Sequence, residues 1–324
     1  MTVGFGNRLA GGVRRESLRT SLWGYQSPVR RAVTGWPFLL PALIFFLGWQ
    51  AYPIVRVAWL SFTDYHFIRV GEPVNFVGFD NYVRALTDPL VLNGLVRALV
   101  FTLLYVPGVL IIPLLAAILL DRVASKRLQG AYRLLILLPA MIPGPLIFLL
   151  WLWLYSQSIG PINYTLVEVL GWFDARNPPR WTGDPQLVFP AIAIMHWWWG
   201  LGLHTIFFLA GLATIPKELN DAARVDGANE WRLFWHITLP RLKPILLVLV
   251  VLRFGSAMAL IEEYLIVGGL NRRLPTYTWT VYMWDLAFRI GDMNQSYAAA
   301  VGWIGAFAML AVVAVLFRLF RPQD

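Results

Sequence analysis

The chain has 324 residues, 58% of them hydrophobic and only 14% charged. A soluble domain carries about 25% charged residues, so the composition excludes an ordinary water-soluble core and points to a membrane. The net charge of +9 is not arranged for nucleic acid, because no stretch interleaves basic and aromatic residues as an RNA-reading sheet does. The absence of cysteine excludes disulfides and thiolate metal sites.

Residues 1–35 form a basic tail with six arginines by Arg31. The apolar run from Trp36 to about Leu60 is too long for the core of a signal peptide and ends in no cleavage signal, so it reads as an uncleaved first membrane helix. Further spans are predicted at about 93–120, 132–155, 187–213, 244–268 and 295–317, followed by a short end at 319–324. The predicted class is an all-α polytopic membrane protein, with six transmembrane helices in one domain over 36–318.

Placing the N-terminus inside leaves 17 Lys and Arg on the inner segments (the tail, 121–133, 214–243 and the C-terminal end) and 7 on the outer loops at 61–92, 155–186 and 269–294. This bias predicts cytoplasmic termini and a cytoplasmic 214–243 segment. The second span contains Pro107, Gly108 and Pro113, and the third contains Pro139, Pro143, Gly144 and Pro145. Each proline removes a backbone donor and pushes its helix off axis, which a membrane tolerates where neighbours or a wet cavity satisfy the freed carbonyl. Trp36, Trp49, Tyr52, Trp59, Trp151, Trp153, Tyr155 and Trp197–Trp199 fit interfacial aromatic belts.

The charged stretch ELNDAARVDGANEWRLFWHITLP at 218–240 lies between the fourth and fifth spans. Pro216 suits a first helical turn and Glu218 an acid near its positive end. Leu219, Ala222, Ala223 and Asp226 share one side of a short helix, Asp226-Gly227 ends it, and a second short helix follows through Trp231, Leu233 and Phe234 to Ile237. Pro240 and Pro244 are expected to punctuate the start of the fifth span. The pattern alone leaves two readings open: a handle gripped by a partner, or an amphipathic loop on lipid headgroups.

The order Asp221-Ala222-Ala223, three residues, Gly227, nine residues, Ile237, one residue, Leu239-Pro240 resembles the loop motif of permease subunits of binding-protein-dependent ABC importers, with Asp221 where that family usually has Glu. Phe76-Val77-Gly78-Phe79-Asp80-Asn81-Tyr82, WLWLYSQSIGPINYTL at 151–166, Phe208-Leu209-Ala210-Gly211-Leu212, Gly268-Gly269 with Pro275 and Thr276, and Ser296-Tyr297-Ala298-Ala299-Ala300 are similar to its sugar-permease branch (maltose and glycerol-3-phosphate permease-like). Asn271-Arg272-Arg273-Leu274 departs from that branch.

The resemblance implies a type I ABC importer permease fold with a cytoplasmic coupling helix. It implies that Asp221, Ala222, Ala223 and Gly227 contact a separate ATPase subunit, with Arg224 and Asp226 flanking and Ile237, Leu239 and Pro240 completing the motif. The implied partners are an ATPase dimer, a second related permease chain, an extracytoplasmic solute-binding protein and membrane lipid, in a prokaryotic inner membrane. ATP and Mg would sit on the ATPase. No cofactor is expected in this chain, where no G-x-x-x-x-G-K-[ST] occurs: its lysines are Lys126, Lys217 and Lys243, and none follows a glycine.

No zinc spacing or nucleophile elbow is present, and His66, His196, His204 and His236 are scattered; His196 and His204 lie eight apart with no third ligand apparent. The chain is therefore read as a transport subunit and not an enzyme. Ionisable groups inside spans mark candidates for the substrate path. Arg253 and Ser256 share a face, with Glu263 near it; Glu262, His204, Asn294 and Tyr297 complete the set. The polar loop at 171–186 is a candidate for docking the binding protein. The expected cargo is a mono-, di- or oligosaccharide. The alternatives are the same machinery for glycerol phosphate, polyamine, peptide or oxyanion, an ATP-independent channel, or an integral membrane enzyme.

Overall fold

Proline placement and hydrophobic runs dictate where this chain stays helical and where it breaks. The structure is a computed structural model that describes residues 28–291 and 293–320. Most of the basic tail, residues 1–27, and the end at 321–324 lie outside the described residues. The chain divides into two units, Met1–Val57 and Ala58–Asp324.

The first helix starts earlier than expected. α1 (Pro28–Phe46) continues through a widened π turn, Leu47–Ala51, to α2 (Tyr52–Leu60). Pro53 cannot donate to Trp49, and the wider turn lies just ahead of it, with the Tyr52 N–H reaching back to the Leu47 carbonyl.

The second unit holds α3 (Asp80–Thr87), α4 (Pro89–Asp121), α5 (Lys126–Leu137), α6 (Gly144–Leu154), α7 (Pro161–Tyr164), α8 (Val188–Leu212), α9 (Lys217–Val225), α10 (Glu230–Leu233), α11 (Leu239–Met258), α12 (Glu262–Val267), α13 (Trp279–Phe288) and α14 (Gln295–Phe320). The described residues include one isolated antiparallel bridge, Thr63 with Phe76, and no strand. Four helical stretches are long and apolar enough to cross a bilayer: Phe38–Leu60, Pro89–Asp121, Val188–Leu212 and Gln295–Arg318. A fifth is a bent pair. α11 is 20 residues long and carries Arg241, Lys243 and Arg253 among its apolar residues.

The second span stays one unbroken helix through its prolines, as α4 passes through Pro107 and Pro113. Gly108 matters there because a Cβ would collide with the Trp197 ring, whose Nε1 donates to the Tyr105 carbonyl at 3.0 Å. Three expectations need correction. The third span is not a single helix over 132–155. Pro139, Pro143 and Pro145 break it, and its halves, Lys126–Met141 and Gly144–Leu154, meet at 94°.

The fifth span does not run to 268 but stops at Met258, and α12 is a separate short helix. Two carbonyls at this break find side-chain donors on α13: Trp279 Nε1 to Met258 O at 3.0 Å and Thr280 Oγ1 to Leu260 O at 2.5 Å. Such partners make a broken span tolerable in lipid. Finally, Pro240 and Pro244 do not separate the second short helix from the fifth span. Helix runs without a gap from Glu230 to Met258, and a π turn at Phe234–Thr238 stands just ahead of Pro240, the same solution as at Pro53.

The packing follows. Phe101, Tyr105, Ile147, Phe148, Phe189, Ile192, Met195, Tyr264, Tyr277 and Tyr297 are buried in the main cluster, which joins α4, α6, α8 and α12–α14. A second cluster, Leu114, Ala117, Leu120, Phe208, Leu209, Leu242 and Leu249, joins α4, α8 and α11. Phe234 and Leu239 pack on it, so the 214–243 segment is rooted in the bundle at that end.

Candidate functional site

Two places gather the polar groups singled out in the sequence. The first is the 214–243 segment. Pro216 precedes α9 and Glu218 lies in its first turn. The helix ends in a Schellman motif: the Ala228 N–H bonds the Ala223 carbonyl at 2.9 Å and the Gly227 N–H bonds the Arg224 carbonyl at 3.0 Å. Gly227 adopts φ +82°, a left-handed conformation costly for any residue with a Cβ. Asn229 then starts α10 by accepting from the Arg232 N–H at 2.9 Å.

No residue of α9 is fully buried. Its open face is Glu218, Asp221, Ala222 and Val225, whereas Leu219, Asn220 and Ala223 turn partly inward. Of the side grouped from the sequence, Ala222 and Asp226 are exposed and Leu219 and Ala223 are partly covered. Asp226 caps the helix end and is exposed, Ile237 and Leu239 are half-buried, and Pro240 is exposed. A polar cleft of about 150 Å³ lies beside α9, between Asp121 and Arg122 at the end of α4 and Asn220, Arg224 and Glu230. Glu230 pairs with Arg122 at 2.6 Å and with Arg224 at 3.1 Å, and Arg224 also approaches Asp221 at 3.9 Å.

The second place is a polar seam inside the bundle. Glu263, buried at the start of α12, faces buried His196 of α8 at 3.4 Å. That separation is long for a hydrogen bond, and His196 Nε2 makes none. The His196 ring packs against Tyr105, Phe148 and Trp199 at centroid distances of 5.6, 6.2 and 5.7 Å. Arg253 of α11 is half-buried and faces Tyr105 and His204. His204 is buried and its Nδ1 lies 2.6 Å from the Gly200 carbonyl.

The other path candidates disperse. Ser256 is exposed, its hydroxyl donating to the Arg253 carbonyl at 3.1 Å. Glu262 is exposed, and the break after Met258 removes the helical register that aligned Glu263 with Ser256. Asn294 accepts from the Tyr297 N–H at 2.7 Å. Among the described residues no group of three His, Cys, Asp or Glu is placed to hold a metal.

Tyr297 belongs instead to a network around Asp88. Asp88 Oδ1 caps α4 by accepting from the Leu90 N–H at 2.8 Å, and Oδ2 accepts from the hydroxyls of Tyr282 and Tyr297 at 2.8 and 2.7 Å. Arg84 stacks over the Tyr297 ring at 4.1 Å. Burial works against ionising Asp88, but the Tyr297, Tyr282 and Leu90 donors outweigh it and hold the carboxyl below its usual range. Nearby, Arg97 Nη1 donates to the carbonyls of Tyr277, Leu274 and Arg272 at 3.0, 3.3 and 3.4 Å. The Asp88-Pro89 cap was readable as a helix start, but nothing in the sequence paired it with tyrosines some 200 positions away.

These features define a class first: a polytopic helical membrane protein with an ABC importer permease fold. The fold agrees with the solved bacterial alginate ABC transporter in complex with alginate pentasaccharide-bound periplasmic protein, at TM-score 0.77 and 23% identity over 93% of this chain and 97% of that one. Residues 89–324 match the model of the binding-protein-dependent transport system inner membrane component family, and the chain belongs to that family. It is 31% identical to the sulfoquinovosyl glycerol transport system permease protein SmoG of Agrobacterium fabrum, over 88% of this chain and 90% of SmoG. It is 29% identical to the arabinooligosaccharides transport system permease protein AraP of Bacillus subtilis, over 87% and 86% of the two chains.

Proposed function

We infer that this chain is one of two membrane subunits of an ATP-driven importer, and that it passes a saccharide, handed over by an extracytoplasmic binding protein, into a prokaryotic cell. α9 is its coupling helix. The observation that carries this reading is the open face of α9. Among the described residues, Glu218, Asp221, Ala222 and Val225 stand clear of the bundle with no partner beyond the Asp221–Arg224 approach, while the adjoining helix is rooted in the bundle through Leu233, Phe234 and Leu239. A helix with no fully buried residue is suited to being gripped from outside. Ala222, the small residue on the open face, lets a groove close around it.

In this reading 214–243 and both termini are cytoplasmic, as the Lys and Arg bias supports. MgATP binds on the ATPase dimer. ATP-driven closure of that dimer moves α9, and the motion reaches the second related permease chain and opens the path. The saccharide cargo is supported by the relatives named above. The seam of Tyr105, His196, His204, Arg253 and Glu263 supports a polar path, since ionisable groups inside a membrane bundle are costly to keep without a role. Arg253 is the permanent cation of that seam and Glu263 its carboxylate, so Arg253 is the group that would sense a negative charge on the cargo.

The test is reconstitution of the complex with its ATPase and binding protein, assayed for uptake of a labelled panel of neutral and acidic saccharides. ATP-dependent uptake, lost in Ala222→Trp together with ATPase capture, is the expected result. Flux that needs no ATP and survives Ala222→Trp would establish a channel instead. Arg253→Gln should depress uptake of the acidic members more than of the neutral ones.

A further inference from the structure

The coupling reading leaves a mechanical question open: what ties α9 to the second membrane span? α9 has no fully buried residue, and it meets α10 through a turn centred on Gly227 at φ +82°. Neither feature makes a stiff connection to α4. Glu230 supplies one. Its Oε2 lies 2.6 Å from Arg122 Nη2, beside the C-terminal end of α4, and its Oε1 lies 3.1 Å from Arg224 Nη2 on α9. The two oxygens of one carboxylate thus hold one arginine from each element across the cleft lined by Asp121, Asn220 and Thr238. Glu230 is itself fixed in place, as the first residue of α10 after the Asn229 cap.

We propose that Glu230 is a positioning residue: a strut through Arg122 and Arg224 that makes the end of α4 follow the coupling helix when the ATPase moves it. This rests on α9 being the ATPase contact. The three side chains are each just over half exposed, and open ion pairs of this kind are weak because water and salt screen them. A partner subunit seated on α9 excludes that water and lowers the local dielectric, so the same pairs strengthen when force is applied. Glu230→Gln keeps the shape and removes the charge.

The chain has no cysteine, so spin labels can be placed at will. The experiment labels Ala124→Cys, just beyond α4, and Lys217→Cys, at the start of α9, in the reconstituted complex with its ATPase. The inter-label distance is read without nucleotide and after trapping with ATP and vanadate. The expected result is one distance shared by both states in the otherwise wild-type chain. That constancy should be lost in Glu230→Gln, lost equally in Arg122→Gln, and worsened no further in the double variant, since both changes remove one link. Stimulated ATP hydrolysis should fall about fivefold in either single variant, the upper end of the scale for one exposed pair, the Arg122–Glu230 link that both changes break. A distance that changes on trapping in the wild type as much as in Glu230→Gln overturns the strut, as do additive losses in the double variant. Failure of the complex to retain the ATPase, even with Glu230 intact, overturns the coupling reading itself, and co-purification reports that separately.

Discussion

The end of the bundle that carries Asp88 and the 214–243 segment draw on the same side-chain chemistry: a carboxylate, arginines and aromatic rings. Around Asp88 these groups close on one another. Tyr297 is fully buried, Tyr282 nearly so, and both hydroxyls end on one carboxylate that also caps α4. Around Glu230 the groups stay open to water. Its arginine partners are more than half exposed, and the aromatic rings of Trp231 and Trp235 stand in solvent-accessible positions. A polar network sealed among helices fixes their relative positions, because breaking it strands buried groups. An open network resists little until something covers it. The difference separates a part that holds its shape from a part left free to be moved, as the proposed coupling role requires.

Substitutions can break or sharpen this contrast. The largest loss of stability belongs inside the seam. Glu263→Ala should cost about 2–3 kcal/mol, read as a lowered thermal unfolding midpoint in detergent, because it leaves a cavity where a buried side chain packs beside His196. Next comes Asp88→Asn, at about 1–2 kcal/mol, since the amide satisfies the α4 cap and both tyrosines less well than the carboxylate does.

That network also has a pH signature. Asp88 is held below the usual carboxylate range in the fold. Its contribution is therefore complete above the unfolded carboxylate pKa of about 3.9 and is lost as the pH falls through the lowered folded value. Acid unfolding curves of the wild type and Asp88→Asn should converge at low pH; curves that stay parallel would remove Asp88 from the account.

Smaller in stability is Gly227→Ala, at about 1 kcal/mol, the cost of a Cβ in a left-handed conformation. Smallest is Ala222→Trp, within about 0.5 kcal/mol as for an ordinary surface change, although it should abolish ATPase capture in a pull-down. The contrast is sharpest if this variant unfolds like the wild type and transports nothing.

Much of this was legible in the residues. The six apolar runs are mainly helical, with breaks inside the third and the fifth, and the spacing from Asp221 to Pro240 places the Gly227 turn where the structure has it. Local rules sufficed there, because glycine at a helix end and proline at a start act within one turn. Where the reading failed, the outcome depended on partners distant in sequence. Pro107 and Pro113 stay within a continuous α4, whereas Pro139, Pro143 and Pro145 break the third span, and proline count alone does not separate the two cases. The break after Met258 depends on Trp279 and Thr280 being present to satisfy its carbonyls. Nothing local singles out Glu230, and only the fold brings Arg122, 108 positions earlier, to within 2.6 Å of it.

The account stands or falls on which side of the membrane α9 faces and what covers it there. The most direct measurement is maleimide labelling of a single cysteine at Val225, which is 88% exposed, with a membrane-impermeant reagent. Val225→Cys should be inert in right-side-out vesicles, reactive in inverted vesicles stripped of the ATPase, and protected again when the ATPase is added back. Labelling from the outside, or reactivity indifferent to the ATPase, would contradict it.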